Sequence, residues 1–371
     1  MSTIPPSADL YLRPTAFVDA PFGLDGQVAR LAGGLVWFSA VELIVMDGGR
    51  RVAAPLVTVA DMDALFARVT PAQAERLRTI WSRLTSPRAA LQMGPRTIRL
   101  DQPQAMAILN VTPDSFSDGG AHAADPAGAA EAGARMAEAG AAILDVGGES
   151  TRPGAKAVWE GDEIARVVPV IERLARGGAA VSIDTRKAAV MEAALTAGAA
   201  LVNDVSALTW DDRAREVVAR AGCPVVLMHH QGSPETMQKE PRYGDVLTEV
   251  YDWLEARIDA AVAAGIDRAR ILVDPGIGFG KTLRHNLQLL NGLSLLHGLG
   301  CAIVLGASRK RLVGALSNEA PVEARLGGSV ALALLGAAQG VQLLRVHDAF
   351  ETVQALRVWR GLRDTALSPA G

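Results

Sequence analysis

Side chains that could bind charged ligands recur in this sequence at the ends of short apolar runs. In residues 106–120 an apolar run ends at Asn110, and a polar loop with proline and glycine follows directly. Parallel α/β enzymes present functional groups at the carboxyl ends of their strands in this way. The same arrangement occurs seven more times, at Gly147 to Arg152, Asp184 with Arg186, Asn203 with Asp204, Met228 with His229, Asp274, Ser308 to Lys310, and Arg345 with His347. Asn and Asp are common turn residues, so one such group would mean little, but eight predict a shared site.

Three of these side chains suit a flat heterocyclic ligand. Asp184, Asn203 and Asp274 offer two carboxylates and an amide in the middle of the predicted site. Such groups could bind the donor-rich edge of an aminopyrimidinone ring. Structural salt bridges with Arg or Lys are the alternative for the aspartates. The ligand is favoured because two aspartates stand beside an asparagine and Lys310, and buried charges need a paired or functional reason.

Three others suit a diphosphate. Arg345, His347 and Asn110 belong to the last and first apolar runs, which become neighbours if a barrel closes. Two cations and an amide could bind diphosphate, with the Asn110 carbonyl helping to hold Mg²⁺. Arg345 and His347 would share one face of their strand because side chains alternate. A structural histidine at a strand end is the alternative for His347.

Two further motifs resemble known sites only superficially. Residues 276–281 are rich in glycine but match neither a phosphate-binding loop nor a dinucleotide fingerprint. We interpret them as a segment whose backbone approaches the ligand closely, with Phe279 as an apolar wall. His229 and His230 resemble a metal-binding pair, but adjacent strand residues point in opposite directions, so one shared metal is not expected.

The elements that must position these groups follow a regular pattern. We predict strands at residues 105–110, 143–147, 181–185, 201–205, 225–229, 271–275, 302–307 and 341–347. We predict alanine-rich helices at residues 127–139, 163–175, 187–197, 213–221, 251–264 and 322–338. Eight such units over roughly 250 residues are typical of a (β/α)8 TIM barrel. An open doubly wound sheet is the alternative, but polar groups at every strand end favour closure. Residues 97–100 are expected to pair with residues 105–110.

Composition limits the possible classes of protein. The chain has 371 residues, 49% of them hydrophobic and 4% aromatic, and a net charge of −3. This favours closely packed helices around a buried sheet and gives no sign of nucleic-acid binding. Cys223 and Cys301 are isolated, so neither disulfides nor a zinc site is expected. Residues 1–10 do not resemble a signal peptide, and no apolar run is long enough for a membrane, so a cytoplasmic location is expected.

Residues 1–95 differ from the rest of the chain. Runs at 35–45 and 51–59, separated by Asp47-Gly48-Gly49, predict a hairpin. Helices are predicted at 62–69 and 72–84, capped by Asp61 and Thr70. This small α+β segment contains no cluster of chemical groups, and we interpret it as a structural or oligomerising extension. The barrel domain would span residues 96–371.

Taken together, the motifs resemble those of the dihydropteroate synthase family. The resemblance covers residues 97–360 and rests on long motifs at residues 110–120, 149–155, 182–185, 202–204, 228–232, 274–281, 308–310 and 345–348. It implies the condensation of 6-hydroxymethyl-7,8-dihydropterin diphosphate with 4-aminobenzoate, giving 7,8-dihydropteroate and diphosphate in folate biosynthesis. It also implies a homodimer that uses Mg²⁺ and is a sulfonamide target.

The resemblance assigns roles to individual residues. Pterin would be bound by Asp184, Asn203, Met228, Asp274, Phe279, Lys310 and Arg345. Diphosphate would be bound by Asn110, Arg345 and His347, and the metal by Asn110. Aminobenzoate would be bound by Thr151, Arg152, Pro153, Phe279 and Ser308. Catalysis would involve Asp114, Thr151, Arg152 and Lys310.

Two other functions remain possible at this stage. A methyltetrahydrofolate methyltransferase shares the pterin site but needs no diphosphate groups, so Arg345 and His347 count against it. An inactive homologue would be expected to lack loop or cationic residues, and none is missing. His230 stands where many family members carry Met, and little effect is expected from it.

Overall fold

A computed structural model of the chain describes residues 4–112, 125–149, 158–232 and 240–368. Residues 9–58 form an antiparallel sheet of five strands: β1 Asp9–Val18, β2 Ala29–Arg30, β3 Trp37–Asp47, β4 Arg50–Ala53 and β5 Leu56–Thr58. The central strand β3 pairs with the other four. The predicted hairpin is therefore confirmed, with Gly48 and Gly49 supplying the positive φ angles of its turn. Its second run is divided at Pro55, which has no amide hydrogen to donate.

Two helices follow the sheet, α1 Met62–Phe66 and α2 Pro71–Thr85. The Thr70 side chain accepts a hydrogen bond from the Gln73 amide and caps α2 as predicted. Asp61 is the N-cap residue of α1 as predicted, but its carboxylate makes no capping hydrogen bond within the described residues and instead accepts one from the Thr58 hydroxyl at 2.6 Å.

A second, shorter hairpin closes the amino-terminal end of the barrel. Strand β6 (Leu91–Met93) pairs with β7 (Arg96–Ile98). The expected pairing of residues 97–100 with 105–110 was therefore wrong. Leu91 and Met93 are buried in one apolar cluster with side chains from the starts of the barrel strands, and this burial decides the pairing.

The barrel itself is confirmed. Eight parallel strands close in the order β10-β11-β12-β13-β14-β15-β8-β9. Their bounds are β8 Gln104–Asn110, β9 Ile143–Gly147, β10 Val181–Asp184, β11 Leu201–Asp204, β12 Val225–Met228, β13 Ile271–Asp274, β14 Ala302–Leu305 and β15 Leu343–Val346. Several end one or two residues earlier than predicted. All the sites named from strand ends therefore face the same end of the barrel.

The surrounding helices are α3 Pro126–Ala139, α4 Glu160–Arg176, α5 Ala188–Thr196, α6 Ala214–Ala221, α7 Val246–Ala263, α8 Leu283–Asn291, α9 Arg311–Leu316, α10 Leu326–Ala338 and α11 Ala349–Ala366. The predicted helix at 322–338 is interrupted at Arg325, whose side chain donates to the carbonyls of Ala320 and Arg309. Helix α7 begins five residues before its predicted start, with Asp245 capping it. Within the described residues, no helix combines the length and apolar character needed to cross a membrane.

The amino-terminal sheet packs on the flank of the barrel. The Tyr11 hydroxyl donates to Asp252 of α7 at 2.8 Å, and the Tyr11 ring meets that of Tyr251 edge-on. Tyr11, Ile44 and Met46 belong to the same apolar cluster as the barrel helices. The extension and the barrel therefore share a core, and they fold as one packed unit.

Candidate active site at the mouth of the barrel

The centre of the barrel mouth is an arginine held by two carboxylates. The side chain of Arg345 extends from β15 and donates to Asp145 of β9 and to Asp184 of β10, each at 2.6 Å. The Asn203 amide donates to the same Asp145 oxygen at 3.0 Å. Although burial lowers the pKa of the Arg345 guanidinium, the two carboxylates raise it above its ordinary value. Arg345 is therefore a permanent cation at this point.

The two aspartates have binding capacity left over. One oxygen of Asp145 and one of Asp184 are buried and have no hydrogen-bond partner among the residues that the structure describes. Burial raises the pKa of Asp184, an effect that Arg345 opposes. Buried acceptors without partners are costly, so this pair is prepared for a ligand that supplies hydrogen-bond donors. The salt bridges expected as the alternative reading do exist, and they leave these oxygens open to a ligand.

A second group of side chains lies on the β13 side of the barrel mouth. Asp274 ends β13 beside Met228 of β12, and it accepts a hydrogen bond from the Gly276 amide at 2.7 Å. The Lys310 ammonium lies 4.1 Å from the centre of the Phe279 ring. Burial lowers the pKa of Lys310 to about 8, although Asp274 opposes this. Carboxylate, cation and aromatic ring thus form a polar edge beside an apolar wall.

Ser308 and His347 form a third group. The Ser308 hydroxyl accepts from the His347 amide at 3.2 Å and lies 3.1 Å from His347 Nδ1. Arg309 pairs with Asp348 and fixes the two loops to one another. Burial, together with Arg345 and Arg309, lowers the pKa of His347 to about 4. The expectation of two cations here is corrected, because His347 is neutral in the absence of an anion.

Asn110 ends strand β8, at the edge of the group formed by Arg345, Asp145 and Asp184. Its side-chain oxygen is 3.5 Å from the point that a Cβ on Gly147 would occupy, so glycine leaves space beside the amide. Within the described residues, Arg345 makes no hydrogen bond to Asn110 or His347. The three residues predicted to bind diphosphate therefore converge on the mouth without bonding directly to one another.

Comparisons with known proteins identify the family. The family described as pterin binding enzyme matches residues 106–347. The dihydropteroate synthase of Neisseria meningitidis serogroup B is 46% identical over 276 residues, which are 73% of this chain and 96% of that protein. This chain belongs to the dihydropteroate synthase family. The predicted transferase function in folate biosynthesis is confirmed at this level.

Solved structures of dihydropteroate synthases agree in fold. The Yersinia pestis enzyme with a sulfonamide drug complex is 47% identical, with a TM-score of 0.71, and the match covers 74% of this chain and 99% of that one. The Xanthomonas albilineans enzyme with 4-aminobenzoic acid is 49% identical, with a TM-score of 0.70 over 74% of this chain and 98% of that one. The shares covered leave about a quarter of this chain without a counterpart in these relatives.

The sequence-based site can now be compared with the geometry of this dihydropteroate synthase family member. Asp114, Thr151, Arg152 and Pro153 lie outside the described residues. Asp145 was missed because it lies inside strand β9, two residues before its end. An aspartate in the otherwise apolar run of residues 143–147 was the available signal. Lys281 was also missed as an individual residue, although its loop was singled out.

Proposed function

We propose that this chain condenses 6-hydroxymethyl-7,8-dihydropterin diphosphate with 4-aminobenzoate to give 7,8-dihydropteroate and diphosphate. The observation that carries the proposal is a pair of buried oxygens, one on Asp145 and one on Asp184 beside Arg345, that have no partner in the described part of the chain. A pterin ring carries amino and ring N–H donors along one edge, which such oxygens can accept. The Xanthomonas albilineans relative has been solved with 4-aminobenzoic acid and with 7,8-dihydropteroate, which supports 4-aminobenzoate as one substrate and dihydropteroate as the product.

The pterin would lie across the mouth of the barrel. Asp184, Asn203, Asp274 and Lys310 would bind its polar edges, and Asp145 joins them. Met228 and Phe279 would contact the ring faces, with Arg345 over the ring. The close contact between Lys310 and Phe279 supports this arrangement, since it places a cation at the border of an apolar wall.

The diphosphate would bind beside Asn110, Arg345 and His347. A phosphate oxygen near the imidazole would raise the pKa of His347 from about 4 and add a second charge there. Mg²⁺ suits this corner because it usually keeps one or two protein oxygens and takes the rest from water and phosphates. The Asn110 side-chain carbonyl would supply one such protein oxygen. When bound, the metal would neutralise charge on the departing diphosphate.

The aminobenzoate would lie between the pterin methylene and the loops. Ser308 and Phe279 would contact it, with Thr151, Arg152 and Pro153 from the second loop. The aniline nitrogen is already unprotonated at neutral pH, so the protein mainly orients it. Asp114, Thr151, Arg152 and Lys310 would act at the reacting groups, stabilising charge and excluding water.

Three broader assignments complete the proposal. We place the boundary of the extension at residue 95 and the barrel domain at 96–371, although the β6–β7 hairpin crosses that point. A cytoplasmic location and inhibition by sulfonamides are proposed on the strength of the family. A homodimer is proposed because Phe350, Val358 and Leu362 expose between 61% and 68% of their surface along α11. Sedimentation of a monomer at micromolar concentration would contradict the dimer.

The decisive experiment is diphosphate release from the purified chain. The pterin diphosphate is supplied with Mg²⁺, with and without 4-aminobenzoate. Release that depends on aminobenzoate, together with the appearance of dihydropteroate, is the expected result. Pterin binding with no turnover would instead indicate an inactive homologue. Omitting Mg²⁺ and adding a chelator should abolish release while leaving the binding of a bare pterin unchanged.

A further inference from the structure

Lys281 is a buried lysine with no role in the function proposed above. Only 3% of its surface is exposed, and its ammonium group lies beneath the glycine-rich loop 276–281. It donates to the carbonyls of Gly276 at 2.9 Å and Phe279 at 3.0 Å. It also lies 2.8 Å from Nδ1 of His229. An ammonium group has three hydrogens, and three acceptors lie within 3.0 Å of it, with the His229 carbonyl further away at 3.5 Å.

His229 is held as an acceptor. Burial, with Lys281 and His230 nearby, lowers the pKa of His229 to about 2, so the imidazole is neutral. Its ring meets Trp253 of α7 edge-on, with the ring centres 4.9 Å apart. A neutral imidazole with Nδ1 free of hydrogen completes the three acceptors of Lys281. His229, which resembled a metal ligand in the sequence, therefore accepts a hydrogen bond from Lys281.

The loop can close around Lys281 only because of its glycines. Gly276 and Gly280 both have positive φ angles. A Cβ on Gly276 would come within 1.8 Å of the His229 carbonyl oxygen, and one on Gly280 within 2.4 Å of the Gln231 carbonyl oxygen. The loop is thus pressed against the segment that follows β12. Its shape depends on backbone contact and on the ammonium group inside it.

We propose that Lys281 is a positioning residue that wraps this loop so that Phe279 forms one face of the pterin pocket. Lys281 binds the carbonyl of Phe279 itself, and the Phe279 ring then meets Lys310 at 4.1 Å. Within the described residues, the hydrogen-bonding contacts of the Lys281 amino group are with His229, Gly276 and the Phe279 carbonyl, and none involves the Phe279 ring. This inference rests on the proposed function, because it assumes that the pocket binds a pterin.

The test compares binding of 6-hydroxymethylpterin, measured by calorimetry, in the unaltered chain and in Lys281→Met. The substitution keeps the length and removes the amino group, whose pKa burial lowers to about 7 although Asp274 opposes this. We expect the Kd to rise roughly tenfold, as when other residues that orient a ligand-binding group are replaced. The Tm should change little, since relief from burying a charge offsets the two carbonyls left unpaired. An unchanged Kd would overturn the inference.

A double-mutant cycle shows whether Lys281 acts through Phe279. In a Phe279→Ala background, Lys281→Met should raise the Kd less than about twofold, because no ring remains to position. Two effects that simply multiply would overturn the inference, since Lys281 would then act by another route. Failure of the unaltered chain to bind the pterin would refute the proposed function itself, which separates the two outcomes.

His229 provides a matched pair of variants that leaves Lys281 in place. His229→Gln keeps an acceptor for the ammonium group, whereas His229→Leu removes it. We expect the leucine variant to bind the pterin several-fold more weakly and the glutamine variant to bind nearly as well as the unaltered chain. This pair decides the question if Lys281→Met does not fold. Equal affinities in the two variants would contradict the proposal.

Discussion

Asp145 and Asp184 do two things at once. Within the described residues, each gives one oxygen to Arg345 and leaves the other without a partner. The Arg345 guanidinium opposes the rise that burial causes in the pKa of Asp184. The unpartnered oxygens can accept hydrogen bonds from a ligand. This division of roles accounts for an arginine in the middle of a site that we propose binds a neutral ring.

Replacing either carboxylate by an amide should weaken pterin binding. We expect Asp145→Asn and Asp184→Asn each to raise the Kd of a bare pterin roughly 10- to 100-fold, because a hydrogen bond to a charged group contributes about 1.5–3 kcal/mol. Calorimetry with 6-hydroxymethylpterin measures this. Asp204→Asn is the matched control, since both Asp204 oxygens bond within their own loop, to Ser206 and Leu208. Equal losses in all three variants would contradict the assignment.

Lys310 should make pterin binding depend on pH. Its pKa is lowered to about 8, so the ammonium group is present below that pH and is lost as the pH rises through it. Without the charge, the attraction to Phe279 and Asp274 disappears. We expect binding to be roughly tenfold weaker at pH 9.5 than at pH 7. Lys310→Met should lack this pH dependence of the Kd. Any pH dependence that the variant retains then comes from titration of the ligand or of Lys281.

Helix α7 connects the extension to the active site. On its outer side, Tyr11 donates to Asp252, and Arg76 and Arg83 both pair with Glu255. On its inner side, Trp253 meets the ring of His229. Arg51 also pairs with Asp245, the residue that caps the start of the helix. One helix is thus fixed from both sides, by contacts that lie far apart in sequence.

Two tyrosines at this contact should respond differently to loss of the hydroxyl group. Tyr11→Phe should lower the free energy of unfolding by roughly 1–2 kcal/mol, because the partly buried Asp252 loses its donor. Tyr251→Phe should be neutral or stabilising, because the buried Tyr251 hydroxyl has no hydrogen-bond partner within the described ranges. Urea denaturation followed by circular dichroism compares them. A larger loss for Tyr251→Phe would mean that the assigned contacts are incorrect.

In the molecule as a whole, the segments that pack against the barrel lie away from the candidate site. The extension packs on the flank, the β6–β7 hairpin fills the amino-terminal end, and the candidate site occupies the opposite end. Leu91 and Met93 are buried together with barrel-strand side chains, although they precede the proposed domain boundary at residue 95. Truncation at different points should therefore have different effects. A truncation before β6 removes only the layer on the flank of the barrel, whereas one that includes β6 also uncovers the amino-terminal end of the barrel core.

Two truncations test this arrangement. Removing residues 1–87 should expose the apolar flank of α7 and lower the Tm by on the order of 10 °C, while turnover per folded molecule is retained. Removing residues 1–95 also deletes β6 and should lower the Tm further. Calorimetry and diphosphate release measure the two properties. Lost turnover in a folded 88–371 chain would show that the extension contributes to catalysis.

Local pattern was enough to determine the architecture and much of the site. Apolar runs of strand length, each followed by a helical stretch, fix a parallel sheet, and polar residues at the run ends mark the catalytic face. Asp184, Asn203, Asp274 and Arg345 were found in this way, as was the Thr70 cap. These features depend on a few neighbouring residues, so the sequence by itself determines them.

Only the tertiary structure decided which distant groups meet. Asp145 lies within a strand, and nothing local indicates that Arg345 would reach it from β15. The pairing of β6 with β7 follows from the apolar space at the end of the closed barrel. The neutral state of His347 likewise depends on burial and on cations from other elements. Contacts and charge states of this kind arise when the barrel closes, because closure alone sets the distances between residues far apart in the chain.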